Sequence, residues 1–322
     1  MTTAYILVRH LDSRHGVERF EIGGGQFVRI AQNAVGRGLI DRCRQLFPAA
    51  YAQYSDWVYE KNYPVTPPAR VGSDPSGFGD IPYEVEDLLL GLRLTQPGDI
   101  SFVAQTVVGE DLSSWFQQPY RYFGSIASTH PYRFDPDLIP KVQQLLQLVR
   151  QPAADSVWFS VAKRFFLYGG AKEFNPYIGE LDRILDLAVA LEAVLVFEKE
   201  FVGRLLRART IGLLGLQADS VKPIKRLLND FYRYRSTIAH GDPLPIEDPA
   251  EFHRQMWDFE ALVRDVLRTA LEVIPADTDA RKQKLEEFSS VTEDDRVEFL
   301  IEGAKGLKDA GRKQRVITAL QA

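Results

Sequence analysis

Arg235 and His240 stand five residues apart in Arg235-Ser236-Thr237-Ile238-Ala239-His240, and Gly241 and Asp242 follow. A histidine exchanges protons near neutral pH, because free imidazole titrates at about 6.5. An arginine stays cationic, and its planar fork matches the oxygens of a phosphate. Together they have the chemistry for metal-free phosphodiester cleavage. The spacing by itself is not selective. With 27 arginines and 5 histidines in 322 residues it arises by chance, most simply as a surface arginine and a helix-terminal histidine.

The neighbourhood adds candidates. Arg233 is a second arginine within reach of His240, but Arg235 is preferred because the polar Ser236 follows it. Ser236 could orient a phosphate, although capping the backbone is the simpler role. Tyr232 and Tyr234 could stack on bases or form dimer contacts, with core packing the plainer reading. Residues 201–240 carry eight Lys or Arg, Lys225 among them, against two acids, an excess of six positive charges in a chain of net charge −5. That window is either a solvated helix face or a phosphate-attracting surface beside His240. Lys225, Arg233, Tyr232 and Tyr234 are therefore the candidate substrate-binding groups. Glu192 lies in the apolar run Leu187 to Phe197, where a buried carboxylate needs a partner such as Arg207.

Four segments in order carry a resemblance: Val157-Trp158-Phe159-Ser160-Val161-Ala162-Lys163-Arg164-Phe165, the run Asp182 to Leu195 with Leu191-Glu192-Ala193-Val194-Leu195, Arg204 to Gly215, and Phe231 to Gly241. Over about residues 155–273 the chain resembles the HEPN superfamily, most closely its ApeA-like branch. The resemblance implies an all-α bundle and a ribonuclease without a metal or cofactor. In it His240 would be general acid or base, Arg235 would hold the phosphate, and Ser236 and Glu192 would lie near them. The ribose 2′-OH would attack phosphorus, leaving a 2′,3′-cyclic phosphate and a 5′-OH. It further implies RNA as substrate and a homodimer across the 178–199 and 221–240 helices. Anti-phage defence or a toxin role follows, with a regulatory or antitoxin partner conceivable. A non-catalytic RNA- or protein-binding scaffold, or a regulatory subunit, is the alternative. Some HEPN toxins carry a tyrosine two residues after the histidine, where AMP is added; here that position is Asp242.

The rest of the chain must position these residues. An apolar fraction of 45% and a charged fraction of 26% are ordinary for a globular protein. No apolar run reaches the ~20 residues of a membrane helix. Met1 to His10 reads as a strand rather than a signal peptide. Cys43 is the single cysteine, so no disulfide closes within the chain and no cysteine-based zinc site exists, in keeping with a cytosolic (cytoplasmic) protein. No HExxH, GKS/T or GxGxxG pattern is present.

The pattern predicts a mixed fold: an N-terminal α+β domain over 1–150, a helical bundle over 151–275 and a charged helical extension over 276–322. Strands are expected at 5–10, 20–22 and 27–30, with a hairpin or bulge at Gly23-Gly24-Gly25. Residues 36–62 read as a helix whose packing face is Phe47, Tyr51, Tyr54, Trp57 and Tyr59. A loop follows at 63–82, then a helix at 83–94 and a strand at 100–107. The aromatic cluster Trp115, Phe116, Tyr120, Tyr122 and Phe123 could stack on bases, with core or interface the plainer reading. Apolar spacing of three and four predicts helices at 138–149, 156–168, 178–199, 201–214, 221–239 and 248–273, and two short helices at 277–322.

Overall fold

The computed structural model describes residues 2–13, 17–46, 56–63, 81–108, 114–117, 131–169, 176–216, 218–244 and 246–289. The N-terminal part is built from β1 (Thr2–Arg9), β2 (Leu11–Ser13), β3 (Arg19–Ile22), β4 (Gly25–Arg29), α1 (Ala34–Leu46), β5 (Trp57–Tyr63), α2 (Ile81–Thr95), β6 (Ser101–Val108), β7 (Ser114–Gln117) and β8 (Tyr132–Phe134). Six strands form an antiparallel sheet in the order β3-β4-β5-β1-β6-β7, and β2 pairs in parallel with β8. The β3–β4 hairpin turns through Gly23 and Gly24 at φ +66° and +78°. Two successive positive φ values suit glycine and match the twist of the paired strands.

The helix expected over 36–62 is overturned. Among the described residues of that span Ala34–Leu46 carries the helix, and Trp57–Tyr63 is a strand hydrogen-bonded between β1 and β4. Trp57 and Tyr59 face the main core, while Val58 faces Leu39 and Ile40 of α1. A strand buried on both faces loses its apolar–polar alternation, so its aromatic run imitates a helix face. Phe47, Tyr51 and Tyr54 lie outside the described residues, as do most of the 63–82 loop and Tyr120, Tyr122 and Phe123. Trp115 and Phe116 fall in β7.

The remainder is helical: α3 (Ile139–Val149), α4 (Val157–Gly169), α5 (Pro176–Leu195), α6 (Val202–Leu214), α7 (Ala218–Ala239), α8 (Pro249–Val273) and α9 (Thr278–Ser289). Each begins and ends near its expected place; the second helix expected after 277 lies outside the described residues. α8 starts cleanly because Asp248 accepts from Ala250 N at 2.9 Å and Glu251 N at 3.3 Å, with Pro249 in the first turn. Among the described residues no helix is long and apolar enough to cross a membrane.

One apolar cluster runs from Ala4 in β1 to Leu285 in α9. A buried polar joint ties the sheet part to the bundle within it. Arg264 of α8 donates to the Arg93 carbonyl at 2.7 Å. Arg93 of α2 donates in turn to the carbonyls of Leu167 at 2.8 Å and Ile100 at 3.0 Å. Glu260 of α8 accepts from Arg264 at 2.8 Å and from Arg183 of α5.

The end of α5 is held from α6 and α9. A helix leaves its last four carbonyls without intrahelical donors. Here Arg281 Nη2 serves Ala193 at 2.8 Å and Val194 at 3.1 Å, Arg209 Nη1 serves Leu195 at 2.7 Å, and Val196 N serves Glu192 at 2.9 Å. Arg209 is itself paired with Glu198 at 2.5 Å.

Candidate active site at the end of α7

α7 is amphipathic. Leu228, Phe231 and Tyr234 recur at helical spacing and are buried, while Arg226 and Arg233 project outward. Phe231 stacks on Phe259 of α8 with centroids 4.0 Å apart. Tyr234 sits edge-on to Phe231 at 5.5 Å and to Phe252 at 5.6 Å, and is 8% exposed. Its ring packs the α7–α8 seam. This packing fixes the rotation of α7 and so sets where the polar side chains point.

Arg235 faces α5. Its Nη2 donates to Glu192 Oε2 at 3.3 Å. Its Nε lies 3.3 Å from Oε1, an ionic contact without hydrogen-bond alignment. The guanidinium remains one-third exposed and the carboxylate less so. Burial pushes the Glu192 carboxyl above the usual carboxylate range, and the Arg235 cation pulls it only partly back. The expected candidate partner Arg207 instead donates to Asn229 Oδ1 at 2.6 Å. Sequence spacing predicted that Glu192 needs a cation, but not which helix supplies it.

His240 ends the helix. Its N–H bonds to the Ser236 carbonyl at 3.1 Å. Gly241 N then bonds Ile238 O at 2.9 Å, and Asp242 N bonds Thr237 O at 3.0 Å. Gly241 takes φ +77°. This paired closure is the Schellman arrangement, and it needs a left-handed residue directly after the cap. The His-Gly pair is therefore explained locally: glycine stops the helix and leaves His240 exposed on its last turn.

The other candidates fall into two groups. Tyr232 is half-buried against Gly203, and its ring lies 6.0 Å from the Arg235 guanidinium carbon. Ser236 and Lys225 are partly exposed on α7. Arg233 is exposed and pairs with Asp230 at 3.4 Å. Arg235, Glu192 and Tyr232 thus come together beside the α5–α7 contact, with His240 a little over one helical turn further along. Five residues of α-helix turn through ~500°, so Arg235 and His240 leave the axis about 140° apart.

Two buried arginines that hold this region were missed from sequence. Arg209 sits between Leu206 and Leu213 on the buried face of α6, and Arg281 precedes Leu285 by four on α9. An arginine at an apolar-face position is the available sign of a buried cation. Compared with family models, curated proteins and solved structures, the chain has no match.

Proposed function

We propose that the chain is a metal-independent endoribonuclease of the HEPN type. The carrying observation is an exposed histidine, His240, fixed at the last turn of the helix whose preceding turn carries a partly exposed arginine held by a carboxylate. In this reading His240 takes the proton from a ribose 2′-OH as that oxygen attacks phosphorus, or returns a proton to the departing 5′-oxygen. Such a role contributes about 10²–10⁴-fold. Arg235 neutralises charge on the non-bridging phosphate oxygens. Lys225 and Arg233 extend a positive surface along the RNA backbone, and the Ser236 hydroxyl offers it a neutral hydrogen-bond donor. The need for a 2′-OH restricts the substrate to RNA.

The 140° divergence of the two side chains around the α7 axis favours a site completed by a second copy of the chain, each offering its own pair. Growth arrest on expression, as a toxin or defence effector, is the biological counterpart. The Glu192 contact gives a second reading some weight. A guanidinium already engaged by a half-buried carboxylate also suits a non-catalytic RNA- or protein-binding scaffold.

Purified protein incubated with total RNA in EDTA separates the two. Wild type should cleave, leaving cyclic-phosphate ends, and both His240→Ala and Arg235→Ala should lose at least about a hundredfold. Equal cleavage by wild type and both variants, or none by any, would favour the scaffold.

A further inference from the structure

Between the Gln96-Pro97-Gly98 turn after α2, the stretch around β8 and the face of α8 lies a cavity of about 780 Å³. Small-molecule sites occupy roughly 300–1,000 Å³, are mostly apolar, and gather where two parts of a fold meet. This cavity meets those conditions at the joint between sheet and bundle. Its sheet-side wall is fixed. Gln96 Nε2 donates to the Arg133 carbonyl at 2.6 Å. Gly98 lies so close to β8 that a Cβ there would sit 2.7 Å from Tyr132 Cα.

On the α8 side Trp257 supplies a flat aromatic wall, and Ala261, one turn on, leaves space beside it. The indole is held in place by Arg183, whose guanidinium carbon is 4.7 Å from the ring centroid and which pairs with the largely covered Glu260. The charge lining the cavity is unbalanced. Among the described lining residues, Asp135, Asp137 and Asp258 outnumber the one cation, Arg133, while Arg183 behind the indole is paired with Glu260. Asp135 is partly used in accepting from Asp137 N at 3.1 Å. The side chains of Asp137 and Asp258 are exposed. Among the described residues no group of three or more His, Cys, Asp or Glu converges to hold a metal ion, so these carboxylates edge the cavity rather than form a chelate.

We propose that this cavity binds a small organic cation with a flat apolar body. The ring lies against Trp257, and the ammonium points to Asp258 and Asp137. Because its walls come from both parts of the fold, an occupant bridges them and stabilises the joint by mass action. The proposal is independent of ribonuclease activity.

Calorimetry on the full chain at low salt, with tryptamine, tryptophol and indole-3-acetate, tests shape and charge separately. Tryptamine should bind saturably at one site and raise the melting temperature, with tryptophol about tenfold weaker and indole-3-acetate weaker still. Asp137→Asn with Asp258→Asn should bring tryptamine down to the level of tryptophol. Ala261→Trp should fill the cavity and abolish binding. Equal affinity for the three probes, no saturation by tryptamine at roughly 10 mM, or binding that survives Ala261→Trp would overturn the proposal. Should Ala261→Trp fail to fold, the two exposed aspartates still decide the matter, since neither carries packing.

Discussion

Glu192 and Glu260 are both helix carboxylates facing arginines, yet their surroundings drive them in opposite directions. Burial favours the protonated form of each. At Glu260 the guanidinium groups of Arg183 and Arg264 outweigh that cost and hold the carboxyl below the usual range. At Glu192 one partly exposed arginine does not, and the carboxyl stays above it. The signs follow by linkage. Glu260 contributes stability above the unfolded carboxyl value of about 4.3 and loses it as pH falls through its lower folded value. Ionised Glu192 costs stability at neutral pH, and that cost is relieved as pH falls through its raised folded value. Glu260→Gln should therefore cost about 3–5 kcal/mol in urea unfolding at pH 7, since it leaves buried Arg264 and half-buried Arg183 short of their partner. The penalty should shrink in acid, where wild type has lost the same contribution. Glu192→Gln should cost much less. Equal losses at pH 7 would show that Arg235 compensates Glu192 fully. At this scale the sequence disclosed Arg235 and His240 through type and spacing. It hid the Arg235–Glu192 pairing, because helix phase says which face a residue is on and not which helix lies opposite.

The elements most legible in sequence were helices with one apolar face, such as Ile139–Val149 by its spacing and Pro249–Val273, where spacing and a capping aspartate agree. β5 was not legible, because its neighbours bury both faces. The docking of α9 was also hidden, since it rests on arginines reaching carbonyls rather than on an apolar stripe. That docking carries a prediction. Arg281→Met should strand the Ala193 and Val194 carbonyls beneath Trp158 and α9. A buried acceptor without a donor costs about 1–3 kcal/mol. For a domain of 150–250 residues this lowers the melting temperature by ~2–4 °C per kcal/mol. Gly212 offers a second route to the same element. A Cβ there would meet Phe288 O at 2.7 Å and Phe288 Cα at 3.0 Å. Gly212→Ala normally favours a helix interior by ~1 kcal/mol. Here it should destabilise, by forcing α9 away from α6. A raised melting temperature for Gly212→Ala would show that α9 is not seated as described.

Over the whole molecule, the sequence boundary near residue 150 divides strand-rich from helix-rich chain, but it does not divide the core. The strand order β3-β4-β5-β1-β6-β7 was beyond sequence reasoning, because it depends on pairing segments as distant as Thr3 and Val108. The same long-range closure makes α8 a shared element. It packs on α2 and α3 as well as on α5, and Arg264 spends a charged donor on the backbone of α2. A bundle of residues 151–289 alone would leave Arg264 without the Arg93 carbonyl and expose the α8 side that meets α2 and α3. Glu260 would then lie nearer water, so the attraction that offsets the burial of Arg183 and Arg264 would weaken. Calorimetry should accordingly give one unfolding transition for the full chain and a lower, broader one for 151–289. If the isolated bundle melts as high as the full chain, the joint contributes no stability, and the sheet part is a passenger on the bundle. If it melts lower, the contacts of Arg264 with Arg93 and of Glu260 with Arg183 and Arg264 hold sheet part and bundle together as one cooperative unit.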